Sequence, residues 1–498
     1  MTIVLSFVEN QNRMKTVTTQ NQTAYNSNLT IAREPEVPAP LTVVKDGSPQ
    51  PPKQAAVQKR KIEIVGTLVL VATFALMLGG TYLVYLLQPE FDILHQQRMS
   101  TAWGFAIIAV SIAFLAVKGL FFAYNLILYI KYRPVKSVTD NALPTCTVIV
   151  PAYNEGPLVY HTLLSLVKSD YPEHKLQLIA IDDGSKDDTW QWILKAKQEL
   201  GNRVTIHKQP KNMGKRHALY YGFNNGNGEV FVTVDSDSVV EPDTLRNLVS
   251  PMAVDKNCGA VAGNVRVLNA NGGIIPKMLN VSFVLSFEFI RSAEGALGSV
   301  FCTPGALAAY RREAVFACLP EWINQTFMGK RSDIGEDRAM TNMIMKQGYS
   351  INFQRNAYVL TNVPEQYKGL YKMFIRWGRS NVRESIKTAG FIFTDFRKHS
   401  KSGTRLLFIN QLLTMLLAFP FLLLMLFVVV TQPLLFLAST LLGIFVYSSF
   451  PVFFYAKRYS LRESLYAYTY SLFYTFSLFW ITPYAIATAG KSGWLTRG

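Results

Sequence analysis

The stretch "VTVDSDS" (232–238) sets Asp235 and Asp237 one residue apart behind an apolar, β-branched run. Side chains alternate across a strand, so a strand ending in both aspartates predicts two carboxylates on one face. Two like charges that close repel unless a cation or a shared ligand lies between them. As oxygen donors the pair suits Mg2+ or Mn2+, which bind through one or two carboxylates plus substrate phosphates. A nucleoside diphosphate would complete the shell; a merely capped strand end is the competing account of the pair alone.

Three further groups could do chemistry. "AIDDGSKDDT" (180–189) carries Asp182 and Asp183 at another strand end, a pattern that turn and N-cap chemistry also explains. "KNMGKRHALYYGF" puts Gly214 and Lys215 at the start of a helix, where a cation beside free backbone N–H groups suits a phosphate. "SDIGEDRAMTNMIMKQGY" places Asp333, Glu336, Asp337 and Arg338 ahead of an amphipathic helix. Acids there complement the helix dipole, or one of them serves as a general base toward a hydroxyl. Downstream, Arg376, Trp377 and Arg379 in "YKMFIRWGRSNVRE" suit a membrane-facing stripe, or a cation and aromatic platform for a pyrophosphate and a sugar.

These groups need a scaffold. "TCTVIVPAYN", "LQLIAIDDGS" and "GEVFVTVDSD" are apolar runs ending in polar residues, separated by helical patterns such as "GPLVYHTLLSLVKS" and "TWQWILKAKQEL". The alternation predicts a mostly parallel α/β sheet with its ligands beyond the carboxyl ends of the strands. All three polar clusters fall at that edge, which makes them one candidate site.

The chain has 498 residues, 49% hydrophobic, and Lys plus Arg exceed Asp plus Glu by 17. A basic balance fits nucleic acid, an anionic lipid surface or a phosphorylated substrate. Apolar blocks at 64–130 and 405–489 favour the membrane, and no basic-aromatic array favours nucleic acid. Residues 1–58, rich in Asn, Gln, Thr, Pro and Ser, predict a disordered tail. Two membrane helices are expected in 59–132, and three apolar stretches follow at 406–430, 434–456 and 465–487. Lys118, costly in lipid, is expected to face a bundle or snorkel. The basic "QKRK" and "KYRPVK" predict that the tail and the next domain are cytoplasmic. Five straight spans would leave the C-terminus outside, whereas the basic "GKSGWLTRG" and Pro483 suit a broken last helix. Segments 276–298 and 364–395 predict interfacial helices. The four cysteines match no zinc or disulfide spacing and predict reduced thiols.

In order, "VPAYNEG", "IDDGS", "VDSD", "FCTPGALAAY", "GEDR", "RW" and "WLTRG" resemble the processive, membrane-embedded family 2 glycosyltransferases, over about residues 60–498. "MGKRHALYYGF", "RWGRSNVRE" and the terminal W-x-T-R-G are similar to those of hyaluronan synthases and nodulation chitooligosaccharide synthases. The resemblance implies an integral, multi-pass plasma (inner) membrane protein. Its cytosolic GT-A-type nucleotide-sugar-binding domain (133–360) would sit between transmembrane helices, two before and about three after. Interfacial helices at 361–404, transmembrane helices at 405–490 and a tail at 491–498 complete the expected division. It also implies roles. Asp182 and Asp183 would hold the uridine end of a UDP-sugar beside Tyr153 and Glu155, and Lys215 would contact the nucleotide. Asp235 and Asp237 would place Mg2+ or Mn2+ on the diphosphate. Cys302 and Glu336 would lie at the acceptor, Asp337 would be the catalytic base, and Arg376 and Trp377 would line the pyrophosphate and acceptor end. Trp494 and Arg497 fall in the terminal motif, with a gating or diphosphate contact. Two positions depart from the family pattern: Met373 stands where Q-x-x-R-W has Gln, and Leu495 stands where Gly is usual. The implied partners are a UDP-sugar, a growing polysaccharide or a lipid acceptor, and the bilayer. A transporter with a nucleotide-sensing domain is the alternative from another class.

Overall fold

The computed structural model describes residues 52–491; most of the 1–58 tail, and Trp494 and Arg497 of the terminal motif, lie outside them. Ten strands are present: β1 (Cys146–Ala152), β2 (Leu176–Asp182), β3 (Val204–Lys208), β4 (Val230–Val234), β5 (Ser238–Val240), β6 (Cys258–Val267), β7 (Leu307–Arg311), β8 (Thr326–Phe327), β9 (Lys330–Arg331) and β10 (Ser350–Thr361). Eight of them form one sheet in the order β3-β2-β1-β4-β7-β6-β10-β5. β1 pairs parallel with β2 and β4, and β2 parallel with β3, as the apolar runs predict. Beyond β4 the sheet is mixed: β7 runs antiparallel to both β4 and β6, and β5 antiparallel to β10.

Both faces of the sheet are covered, which is why its strands read as continuous apolar runs rather than alternating ones. Val148, Val150, Leu178, Ala180, Val230 and Val232 face one core, with Val159, Leu163 and Ile193 from the covering helices. Ile149, Ile179, Ile181 and Phe231 face the other, with Leu219, Phe223, Trp322 and Met340. Each such Val, Leu, Ile, Phe or Met side chain taken fully out of water stabilises the fold by roughly 1.5–3 kcal/mol.

Three described helices are long and apolar enough to cross a membrane: Arg60–Leu86, Ala102–Lys131 and Pro433–Ala456. The first continues a helix that begins at Pro52, within the segment assigned to the tail. Lys401–Leu416 and Ala418–Thr431 make a further stretch bent by 43°. Lys118 does face a neighbouring helix, donating to Asn410 Oδ1 at 3.0 Å and Thr414 Oγ1 at 3.2 Å. The last apolar stretch is not one straight helix: it divides into Tyr466–Phe473, a π-turn at Tyr474–Leu478 and Ile481–Ala487. Pro483 sits in the opening turn of its final piece, where its missing N–H costs little.

The two segments expected to form interfacial helices are helical. Ile274–Val284 runs into a π-turn at Leu285–Ile290 and then Arg291–Gly295, while Tyr367–Ile392 is one continuous amphipathic helix. At the π-turn Glu288 is buried and pairs with Arg266 of β6 at 2.9 Å and with Arg458, just past Pro433–Ala456, at 3.7 Å. This ionic contact joins the sheet to the end of a membrane-length helix. All four cysteines are free thiols.

Candidate active site

The carboxyl ends of β1, β2 and β4 converge as the sequence predicts. Ala152 and Asp182 are register partners, so the Tyr153–Gly156 loop lies beside the Asp182–Ser185 loop. Asn154 N donates to Ser185 Oγ, Asn154 Oδ1 accepts from Lys186 N, and Glu155 N donates to Thr189 Oγ1 at 2.8 Å. Asp182 is fully buried; its Oδ1 accepts from Ser185 N at 2.9 Å, while Oδ2 has no hydrogen-bond partner. Asp183 accepts from Met213 N and Gly214 N, both at 2.9 Å. Its carboxylate therefore fixes the loop that delivers Lys215 at the start of helix Lys215–Asn225.

Lys215 is the hub. Its Nζ lies 2.5 Å from Asp235 Oδ1 and 3.2 Å from Glu336 Oε1, in a buried position. Burial alone would lower its pKa, but the Asp235 and Glu336 carboxylates outweigh it and hold the ammonium above its ordinary value. Glu336 shows the reciprocal effect: burial favours its neutral form, and Lys215 overcomes this to hold it below the usual carboxylate range. Gly305 lies over this cluster, and a Cβ there would come within 2.5 Å of Lys215 Nζ, so the backbone approaches as closely as only glycine permits.

The two aspartates of the opening pair do not share a strand face. β4 ends at Val234, and Asp235–Asp237 form a turn leading into β5. Asp235 turns to Lys215, whereas Asp237 Oδ1 accepts from Thr361 Oγ1 of β10 at 3.2 Å. The backbone turns between them: Ser238 N donates to the Asp235 carbonyl at 3.1 Å, and Thr162 Oγ1 donates to the Ser236 carbonyl at 2.9 Å.

Asp337 begins helix Glu336–Lys346 beside Glu336. Its Oδ2 accepts from Gly305 N at 3.1 Å and lies 4.0 Å from Cys302 Sγ, and Oδ1 accepts from Arg338 N at 2.7 Å. Burial, then the negative charge of Glu336, pushes its pKa up to about 6. A carboxyl tuned into that range suits proton transfer near neutral pH. Burial likewise raises Cys302 to about 12, so it is a neutral thiol and no nucleophile.

Gly335, with φ +78°, closes the site against helix Tyr367–Ile392: a Cβ there would lie 2.0 Å from Ser380 Oγ. On that helix Arg376 acts on Glu336 electrostatically, and Trp377, 42% exposed, packs against Phe374 and Phe283. Arg379 is not available as a second phosphate ligand; it is buried and donates to Thr488 Oγ1 at 3.0 Å. Arg383 donates to the Ala489 and Lys491 carbonyls, both at 2.6 Å, so the "RSNVRE" arginines fasten the chain that follows the last helix. Met373 is 6% exposed and belongs to the same apolar core as Leu370, Ile375, Leu478 and Ile481. Where the motif has Gln, the side chain here is therefore part of the apolar core.

Sequence reasoning missed a buried polar network behind the site. Arg216 donates to the Trp322 carbonyl and, at 3.1 Å, to Gln325 Oε1; Gln325 and Asn342 donate to Glu384 at 3.0 and 2.9 Å. Trp322 Nε1 also holds the Glu336 carbonyl at 2.8 Å. It also missed Arg291, whose electrostatic partners include Cys302 and Asp337. Their partners lie far apart in sequence, and periodicity alone does not assign them.

Residues 144–380 match the family model described as "Glycosyltransferase like family 2". The sheet and the acidic cluster therefore make up a family 2 glycosyltransferase domain of the expected GT-A type, flanked by apolar helices. The chain is 33% identical over 250 residues to an N-acetylglucosaminyltransferase of Rhizobium meliloti, covering 50% of this chain and 58% of that protein. It is 32% identical over 243 residues to a hyaluronan synthase of Streptococcus pyogenes, covering 48% and 57%. The chain thus spans less than two thirds of the length of these relatives. A mannosyltransferase from Pyrobaculum calidifontis, solved with GDP-Man and Mn2+, superposes with a TM-score of 0.49 at 22% identity, over 75% of this chain and 96% of that one.

Proposed function

We propose that this chain is a membrane-embedded inverting glycosyltransferase. It would transfer sugar from a UDP-sugar, N-acetylglucosamine alone or with glucuronate, to a growing β-linked polysaccharide and help export it. One observation carries the proposal: a carboxyl raised to about 6, Asp337, lies beside a lysine clamped between two carboxylates at the sheet edge.

In the proposed reaction an acceptor hydroxyl attacks the anomeric carbon as the bond to the diphosphate oxygen breaks, and UDP departs. Asp337 takes the hydroxyl proton, which its raised pKa allows near neutrality. The Gly305 N–H, at 3.1 Å, and the Arg338 N–H hold the carboxylate in place. Lys215 and Arg376 bring positive charge to the leaving diphosphate, and preorganised charge of this kind costs no reorganisation during the step. Asp182 and Asp183 hold the nucleoside end beside Tyr153 and Glu155, and Cys302 and Trp377 line the acceptor.

Among the described residues no group of three or more His, Cys, Asp or Glu side chains is arranged to hold a metal by itself. Asp235 and Asp237 turn to different partners, Lys215 and Thr361, but they are carboxylate donors of the kind through which Mg2+ or Mn2+ binds before completing its shell with substrate phosphates. These two residues would hold the ion, which when bound supplies charge stabilisation to the departing UDP.

The membrane-length helices and the basic flanks of the first two support a multi-pass protein with this domain in the cytoplasm. A lipid acceptor modified once is the second possibility, and product size separates the two. Membranes containing the protein are incubated with UDP-N-acetylglucosamine and UDP-glucuronate, singly and together, and the product is digested with specific glycanases. A long glycanase-sensitive polymer with release of UDP is expected. UDP-sugar binding without UDP release would refute a transferase, and a single-sugar lipid product would refute polymer synthesis.

A further inference from the structure

The first membrane-length helix, Arg60–Leu86, carries a groove outside the candidate site. Thr67, Leu70, Val71, Phe74, Ala75 and Leu78 line one wall of a cavity of about 510 Å3. They recur at i, i+3, i+4, i+7, i+8 and i+11, which is one face of a helix. Arg462 and Leu465, just before Tyr466–Phe473, supply the other wall. Residues 67–78 span about 16 Å at the helical rise, half of a hydrocarbon core roughly 30 Å thick and so the depth of one leaflet. Leu70 is buried, whereas Val71 and Leu78 are 61% and 69% exposed, so the groove opens away from the bundle. Polarity gathers at one end. Arg462 donates to Thr67 Oγ1 at 2.8 Å and makes no ion pair among the described residues. Lys277 stands beside it: its Nζ lies 5.7 Å from the centre of the Tyr466 ring, and burial, then the positive charge of Arg462, lowers its pKa. The acids that offset this are Glu463, which accepts from the Tyr455 hydroxyl at 2.7 Å, and the exposed Glu63.

We propose that this groove binds one anionic phospholipid, with its phosphate on Arg462 and Lys277 and an acyl chain along residues 70–78. Arginine meets phosphate through parallel N–H donors, and lysine adds a point charge. A neutral lipid would leave the two neighbouring cations without an anion, and a free phosphate would leave the apolar wall uncovered. The bound lipid would lie along the seam between the first membrane-length helix and the last apolar stretch. Its binding does not depend on the transferase reading.

The test uses the full chain in detergent, stripped of lipid and titrated with phosphatidylglycerol or with phosphatidylcholine of the same acyl chains. Native mass spectrometry counts the lipid bound. A saturable one-to-one complex is expected, about tenfold tighter for phosphatidylglycerol than for phosphatidylcholine. Arg462→Gln should abolish that preference. Val71→Trp fills the groove and keeps both cations; it should weaken phosphatidylglycerol binding at least about threefold, with the thermal midpoint in lipid-free detergent unchanged. Glycerol phosphate, the same anion without its tails, should not compete at equal concentration. Equal binding of the two lipids, or displacement by glycerol phosphate, overturns the proposal, and both comparisons use the wild type, so they stand whether or not a variant folds. A preference unchanged in Arg462→Gln, or binding unchanged in Val71→Trp, overturns it as well.

Discussion

Asp337 offers the sharpest test of the chemistry. With its pKa at about 6, the carboxylate form needed to accept a proton predominates at pH 7 and is half populated near pH 6. The sign is fixed by the role: protonation removes the base, so turnover should fall as pH drops through 6, roughly tenfold per unit below it. Burial is the first cause of the raised value and Glu336 the second, so Glu336→Gln should move this acid limb to lower pH. Asp337→Asn removes the base outright, and losing a general base costs about 10²–10⁴ in rate. The two backbone donors on this carboxylate, from Gly305 at 3.1 Å and Arg338 at 2.7 Å, set a second cost. An amide NH2 must face one of them, leaving a buried donor unsatisfied at about 1–3 kcal/mol. UDP release from pH 5 to 8 and the thermal midpoint, with UDP binding measured in parallel, separate the two effects. A wild-type rate flat between pH 5 and 7, or more than a tenth of wild-type turnover in Asp337→Asn, would refute the assignment.

Other outcomes follow from the same cluster. Lys215→Met leaves Asp235 and Glu336 without their shared cation, and breaking a buried pair this way costs about 3–5 kcal/mol, visible as a lowered thermal midpoint. Gly305→Ala places a Cβ 2.5 Å from Lys215 Nζ; the displaced ammonium should cut turnover at least about tenfold, read as UDP release at saturating donor. Gly335→Ala combines a left-handed backbone with a clash at Ser380, so thermal stability should fall, and adding Ser380→Gly should relieve only the clash. Chelator should abolish turnover until Mg2+ or Mn2+ is returned, and Asp237→Ala should need more of the ion for half-maximal rate; full activity in chelator would exclude a metal role for the pair.

The strands that carry the site were legible because both faces of β1, β2 and β4 are buried, which writes them as unbroken apolar runs ending in acids. The meeting of those runs at one edge followed from parallel pairing alone. β7 was not legible: Leu307–Arg311 enters between β4 and β6 in the opposite direction, and nothing local to "LAAYR" states its neighbours. Period-two reasoning failed at Asp235 and Asp237 because it assumed that the strand continues through them. Arg379 belonged to a stripe that suited either a membrane-facing surface or a cation platform, yet it is buried and donates to Thr488 Oγ1. Long-range partners decide such cases, and they are absent from any local window.

The turn between β4 and β5 has a consequence for the shape of the sheet. β5 is four places from β4 in strand order, a distance of roughly 19 Å across a flat sheet. Val234 and Ser238 are separated by a connection that reaches about 14 Å at full stretch. The sheet must therefore curl toward itself at this end, and the register break in β10 between Phe353 and Tyr358 supplies the bend. The Asp-Ser-Asp turn is thus a clasp closing a rolled sheet, with one aspartate fastened on each side of the gap.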